Sequence, residues 1–311
     1  MDTQLIKEIL SCLCGERTLF YYHRDQYAVY LLHRLASKHG PLNLRELRGT
    51  PWGNLLCRPA MQTLVANCGK GVVDNSVLNG LWLETPEAYV LTLDRWGHQQ
   101  SYRWAQTSRP GGNLVLQLNL SYQWAREFES LTQCSANYLF GYGHPISQSR
   151  PVTLAWARLD IDFDTDEVLI EEIQSDLIRE VRTMHRLAVL NRTRVQFQFR
   201  GKVLNAAQVL AFSEKFLAAF DKTWQEAMLT AAIQFCLDEL GVAHLYYHSV
   251  ETGNVMKNIR YSKPPRSLYS DLPKKFCFTK TNKAPIFLEK TKKVKRKLKI
   301  LEDCCWYTMA A

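Results

Sequence analysis

No apolar run in the 311-residue chain is long enough to span a bilayer, so no membrane span is expected. The stretch Met1-Asp-Thr-Gln-Leu-Ile-Lys-Glu-Ile-Leu10 scatters charges among its apolar positions, which argues against a secretory leader. The nine cysteines lack the spacings of a disulfide framework or a zinc knuckle. Cys12 and Cys14 stand one residue apart, Cys304 and Cys305 are adjacent, and no matching Cys or His pair lies nearby. These absences point to a reducing, cytoplasmic compartment and to no metal. The series Asp160, Asp162, Asp164 and Asp166 likewise lacks the glycine and distal glutamate of an EF-hand.

What is present is ordinary for a globular protein, with 46% hydrophobic and 22% charged residues, enough to bury a sizeable core. The net charge of +9 is concentrated in Lys290–Lys299, which holds seven basic residues and no acidic one. Within it, Lys292, Lys293, Lys295, Arg296 and Lys297 are candidate contacts to nucleic acid or another polyanion. The plainer reading is a solvated basic tail.

Helical spacing recurs through the first part. Leu5, Ile6, Ile9, Leu10 and Leu13 form one stripe, with Gly15 as a stop. Asp25 is placed to cap a helix that ends at Gly40-Pro41, Asn43 to cap Leu44–Arg48, and a further helix fits Arg58–Asn67. Residues 81–96 read as a β-hairpin. Helices followed by a hairpin are also the order of a winged helix, although Arg58, Gln62 and Asn67 alone make a poor base-reading surface. The turn-rich residues 98–112 suggest a passage between two halves. The expected fold is α+β. A helical module with a β-hairpin spans 1–110, and a mixed sheet flanked by helices spans 111–289 with a helical insertion at about 177–220. A basic tail spans 290–311.

The stretch Glu167–Asp176 carries the chemistry. Period two puts Val168, Ile170, Glu172, Gln174 and Asp176 on one face and Leu169, Glu171, Ile173 and Ser175 on the other. Its upstream neighbour, Thr153–Asp164, alternates too, and a two-residue loop would set Leu159 against Glu172 and Ile161 against Ile170. Glu172, flanked by apolar side chains, is then the candidate general base. His248 and Tyr269 are candidates for a second proton-transfer group, and Glu171, Gln174, Ser175 and Asp176 for ligand contacts. His144, in Phe140-Gly-Tyr-Gly-His-Pro145, is a further candidate, although a histidine in a glycine-rich loop is more often merely exposed or packed. The alternative is that Asp176 caps the following helix while Gln174 and Ser175 satisfy buried backbone groups.

The order strand, helix, hairpin, helix, long helix, strand, then Leu268–Phe278 and Ala284–Leu288, resembles a GNAT-type acyltransferase fold, in which a late helix precedes a closing hairpin. Tyr269 and Cys277-Phe278 fall where that family has a tyrosine and a glycine-phenylalanine. The resemblance implies acyl-CoA held at the splayed strand after the hairpin, its pyrophosphate gripped by a glycine-rich loop at a helix N-terminus. Here Leu177-Ile-Arg-Glu-Val-Arg182 replaces that loop. Leu169–Asp176, with Lys222-Thr-Trp-Gln-Glu226 and Leu272-Pro-Lys-Lys-Phe276, also resembles an uncharacterised domain of bacterial and phage or mobile-element proteins, over about residues 113–288. That resemblance implies a setting and no activity. Two functions follow as expectations: an acyltransferase or small-ligand binder using the polar end of the Glu167–Asp176 stretch, or a non-enzymatic nucleic-acid or macromolecule binder.

Overall fold

The computed structural model describes all residues except 14–17, 70, 80–85, 98–104, 141–142, 260–263, 302–304 and 311. For Tyr138, Phe140 and Lys293 it describes the backbone alone. The fold is mixed α+β: an eight-stranded sheet of parallel and antiparallel pairs, flanking helices, and a helical N-terminal part. The chain divides into two compact units, each drawn from separate segments. Among the described residues no helix is long and apolar enough to cross a membrane.

The first unit comprises Met1–Phe20, Ala88–Ile161 and Glu172–Ala232. Its strand Asn113–Asn119 is buried from end to end. It pairs antiparallel with Glu87–Trp96 on one side and with Thr153–Asp162 on the other. The 87–96 strand thus pairs across the expected boundary near residue 110; its expected hairpin partner, residues 81–85, lies outside the described residues. Thr153–Asp162 is buried on both faces as far as Ile161, so the alternation in its sequence does not mark a solvated face.

The helices Asp176–Leu190 and Ala206–Phe220 are joined by a hairpin, Gln196–Phe199 with Lys202–Asn205. Arg200 and Gly201 form its two-residue turn with φ of 46° and 77°, the positive pair that matches strand twist. Asn205 then caps the second helix by accepting from the Gln208 N–H at 3.1 Å. Phe212, Phe216 and Phe220 of that helix pack around Trp124, with ring centroids 5.1 to 6.4 Å from it.

The second unit comprises Tyr21–Glu87, Asp162–Glu171 and Ile233–Ala311. Asn43 caps Leu44–Arg48 as its side chain predicts, accepting from the Arg45 and Glu46 N–H groups. Asp25 precedes the helix Gln26–His39 in the left-handed region, and its side chain makes no cap bond. In the sheet, Glu167–Ile170 pairs parallel with His244–Tyr247. The strand His244–His248 pairs antiparallel with Trp306–Ala310, whose other edge holds Thr279–Thr281.

Three expectations are corrected here. The turn after Asp162 spans 163–166, four residues instead of two, because Asp162 Oδ1 accepts from the Thr165 N–H and Asp166 takes a φ of 55°. Ala284–Leu288 is not a strand: Pro285 starts the short helix Ile286–Glu289. Residues 290–311 are not a tail. They form the helix Lys292–Ile300 and the strand Trp306–Ala310, and Val294 and Trp306 are buried with Leu169, Met256, Phe287 and Leu288. A lysine-rich segment folds back because its few apolar residues have a core to join.

Candidate functional site

The expected site residues fall into two clusters, one in each unit, because period two sends Glu171 and Glu172 to opposite faces of their strand. The strand Glu167–Gln174, whose last residues from Glu172 belong to the first unit, runs through Ser175 into the helix Asp176–Leu190. Ser175 is the cap: its Oγ accepts from the Ile178 N–H at 3.1 Å and donates to the Leu154 carbonyl. Asp176 occupies the first helical position, where a carboxylate is favoured by the helix dipole. Only 4% exposed, it accepts from three donors. Trp156 Nε1 reaches Oδ2 at 3.1 Å, Arg179 Nη2 reaches Oδ1 at 2.7 Å, and the Gln174 amide also donates to Oδ1. His144 Nδ1 lies 3.2 Å from Oδ2.

His144 is the accessible member, with 32% of its side chain exposed. Its Nδ1 also lies 3.3 Å from the Gln174 amide nitrogen. Donation from Nδ1 to the carboxylate satisfies the stronger acceptor. In that tautomer the lone pair lies on Nε2. Trp156 packs near the imidazole, with ring centroids 6.3 Å apart.

Glu172 is not flanked by apolar groups alone, as the expected register had it. It is ion-paired with the buried Arg158. Arg158 donates in addition to the Ala105 carbonyl at 2.9 Å, the Gln106 carbonyl at 3.1 Å and Asn113 Oδ1 at 3.4 Å.

The second unit brings Glu171, His248 and Tyr269 together around Lys257, a residue that nothing in its sequence context marks out. His248 Nε2 meets Glu171 Oε2 at 3.1 Å, and both side chains are fully buried. Lys257, 1% exposed, donates to the Glu171 backbone carbonyl at 3.1 Å and to the Tyr269 hydroxyl at 3.3 Å. Gly253 lets its helix lie close, since a Cβ there would stand 3.2 Å from His248 Cβ. Trp306 covers the imidazole at a centroid distance of 4.8 Å. The cluster is closed to solvent, and buried charges are satisfied there by partners.

Arg158 and Lys257 stayed hidden in the sequence because a lone basic residue in a strand or after a short helix reads as surface. Trp156 and Arg158 did share the polar face of their strand, the one signal that could have marked them. A surface cavity of about 450 Å³ lined by Arg48, Asn54, Cys57 and Gln62 contains none of the expected residues. Among the described residues no three His, Cys, Asp or Glu side chains are grouped to hold a metal ion.

Compared with family models, curated proteins and solved structures, the chain matches none.

Proposed function

We propose that the protein is a group-transfer enzyme of the acyltransferase kind, in which His144, oriented by Asp176, takes a proton from the acceptor. The observation that carries this reading is the pair itself: a buried carboxylate held by three donors, with the Nδ1 of a one-third-exposed imidazole 3.2 Å from it. In that role Asp176 fixes the ring's tautomer and stabilises the imidazolium that forms, and His144 Nε2 accepts the acceptor's proton. Gln174 and Arg179 hold the carboxylate in place. The parallel pair Glu167–Ile170 with His244–Tyr247, and the closing strand Trp306–Ala310, support the acyltransferase comparison at the level of strand arrangement.

The residues do not fit a CoA pyrophosphate at the start of the helix Asp176–Leu190. Ser175 already caps that N-terminus, and the Asp176 carboxylate would repel a second anion. The donor is therefore read as an acyl thioester held through its acyl end. The test is thermal unfolding of the full chain with acetyl-CoA and with S-acetyl-pantetheine, which lacks the pyrophosphate, using CoA and ATP as controls. Both acetyl thioesters should raise the midpoint, and ATP should not, because a ligand that binds only the folded state stabilises it. No shift with either thioester at saturation would discard the reading.

A further inference from the structure

The basic run is unused by that chemistry, and its folded form gives it a direction. In the helix Lys292–Ile300, Lys292, Lys295, Arg296 and Lys299 are exposed. Spaced i, i+3, i+4 and i+7, they make one stripe about 10 Å long at a rise of about 1.5 Å per residue. The opposite face is anchored: Val294 is buried, Leu298 packs against the same core, and Lys297 donates to the Met256 carbonyl. The stripe is built against local electrostatics. Each of its members neighbours others of like charge on the helix. The first turn has no acidic residue, and Thr291 makes no side-chain cap bond. Among the described residues no ion pair is formed by any of these four side chains.

We infer that this stripe is a docking surface for the phosphate backbone of duplex nucleic acid. A dense row of cations with no acidic residue among them complements a polyanion. The helix presents no aromatic side chain on which unpaired bases would stack, which favours a duplex over a single strand. Val294 and Leu298 are committed to the core, and Ile300 at the last helical position is the one exposed apolar side chain of the helix, which is less than the apolar face that interfacial helices insert into a bilayer.

The test measures binding of the full chain to a fluorescent DNA duplex of about 20 base pairs across a salt series, with phosphatidylserine vesicles as a second probe. The stripe variant carries Lys292→Gln, Lys295→Gln, Arg296→Gln and Lys299→Gln, leaving Val294, Lys297 and Leu298 in place. A control removes the same charge at the exposed Lys7, Arg186, Arg192 and Arg194. Four phosphate contacts contribute about 3.6 to the slope of log affinity against log salt. The wild type should therefore lose roughly 150-fold more affinity than the stripe variant between about 50 and 200 mM salt. The control should keep most of the wild-type slope. The inference is overturned if the wild type does not bind the duplex at low salt, or if the control loses as much as the stripe variant. An unchanged slope in a folded stripe variant, or stripe-dependent binding to vesicles alone, overturns it equally. Far-UV circular dichroism and the thermal midpoint establish that each variant is folded.

Discussion

Arg158→Met should be among the most damaging single changes in the first unit, and it should become less damaging when Glu172 is changed too. Arg158 is 2% exposed and serves four acceptors: the Glu172 carboxylate, the carbonyls of Ala105 and Gln106, and Asn113 Oδ1. Methionine fills a similar volume, so the cost is electrostatic. Removing one partner of a buried ion pair strands the other charge, which costs about 3–5 kcal/mol. Glu172→Gln keeps an oxygen that can accept from the guanidinium and should cost about 1–3 kcal/mol. In the double variant no carboxylate is stranded, and its loss should fall short of the sum by about 2 kcal/mol. Equilibrium urea unfolding followed by far-UV circular dichroism gives the four free energies of the cycle. Additivity within about 0.5 kcal/mol would refute the pair as described, and so would an Arg158→Met loss below about 1 kcal/mol.

Three further predictions concern the two cores. Phe216→Ala should cost about 3–5 kcal/mol in urea unfolding, because Phe216 is buried against Trp124, Phe212 and Phe220; a loss under about 1 kcal/mol would mean that this cluster is misplaced. Lys257→Met should leave the Glu171 carbonyl without its ammonium donor and cost about 1–3 kcal/mol, with faster hydrogen exchange in the strand His244–His248; unchanged exchange and stability would contradict the closed cluster. Burial pushes the Cys277 thiol up to about 12, whereas in the unfolded chain it ionises near about 8.5. Stability from this protonated thiol is therefore full below about pH 8.5 and is lost as pH rises toward 12, by about 1.4 kcal/mol per unit. Cys277→Ser should flatten the alkaline limb of stability by that slope, and an unchanged limb would contradict it.

Much of the scaffold was legible because it follows from periodicity. Alternation put Glu171 and Glu172 on opposite faces, and their separate partners, His248 and Arg158, follow from that. The cap at Asn43 was legible because side-chain length fixes such a position locally. The rest depended on contacts between residues far apart in sequence. Ala284–Leu288 is apolar enough for a strand or a buried helical turn, and only the surrounding core decides between them. The strand Trp306–Ala310 was obscured by the lysines before it, whose charge reads as solvated while Val294 and Leu298 bind the segment to the core. The site was half legible. Gln174, Ser175 and Asp176 stood out as polar groups at a strand's end, but the choice of Ser175 as cap and of His144 as the partner of Asp176 is made by three-dimensional proximity.

The most direct test of the proposed chemistry is the rate of thiol release from acetyl-CoA and S-acetyl-pantetheine in the presence of a panel of small amines, for the wild type and His144→Asn. The substitution removes the imidazole base at a partly exposed position, so the thermal midpoint should stay within about 2 °C. Turnover should fall by about 10²–10⁴-fold, the usual contribution of a general base. Equal rates in two equally folded proteins would contradict the assignment of His144 and Asp176 as the proton-accepting pair.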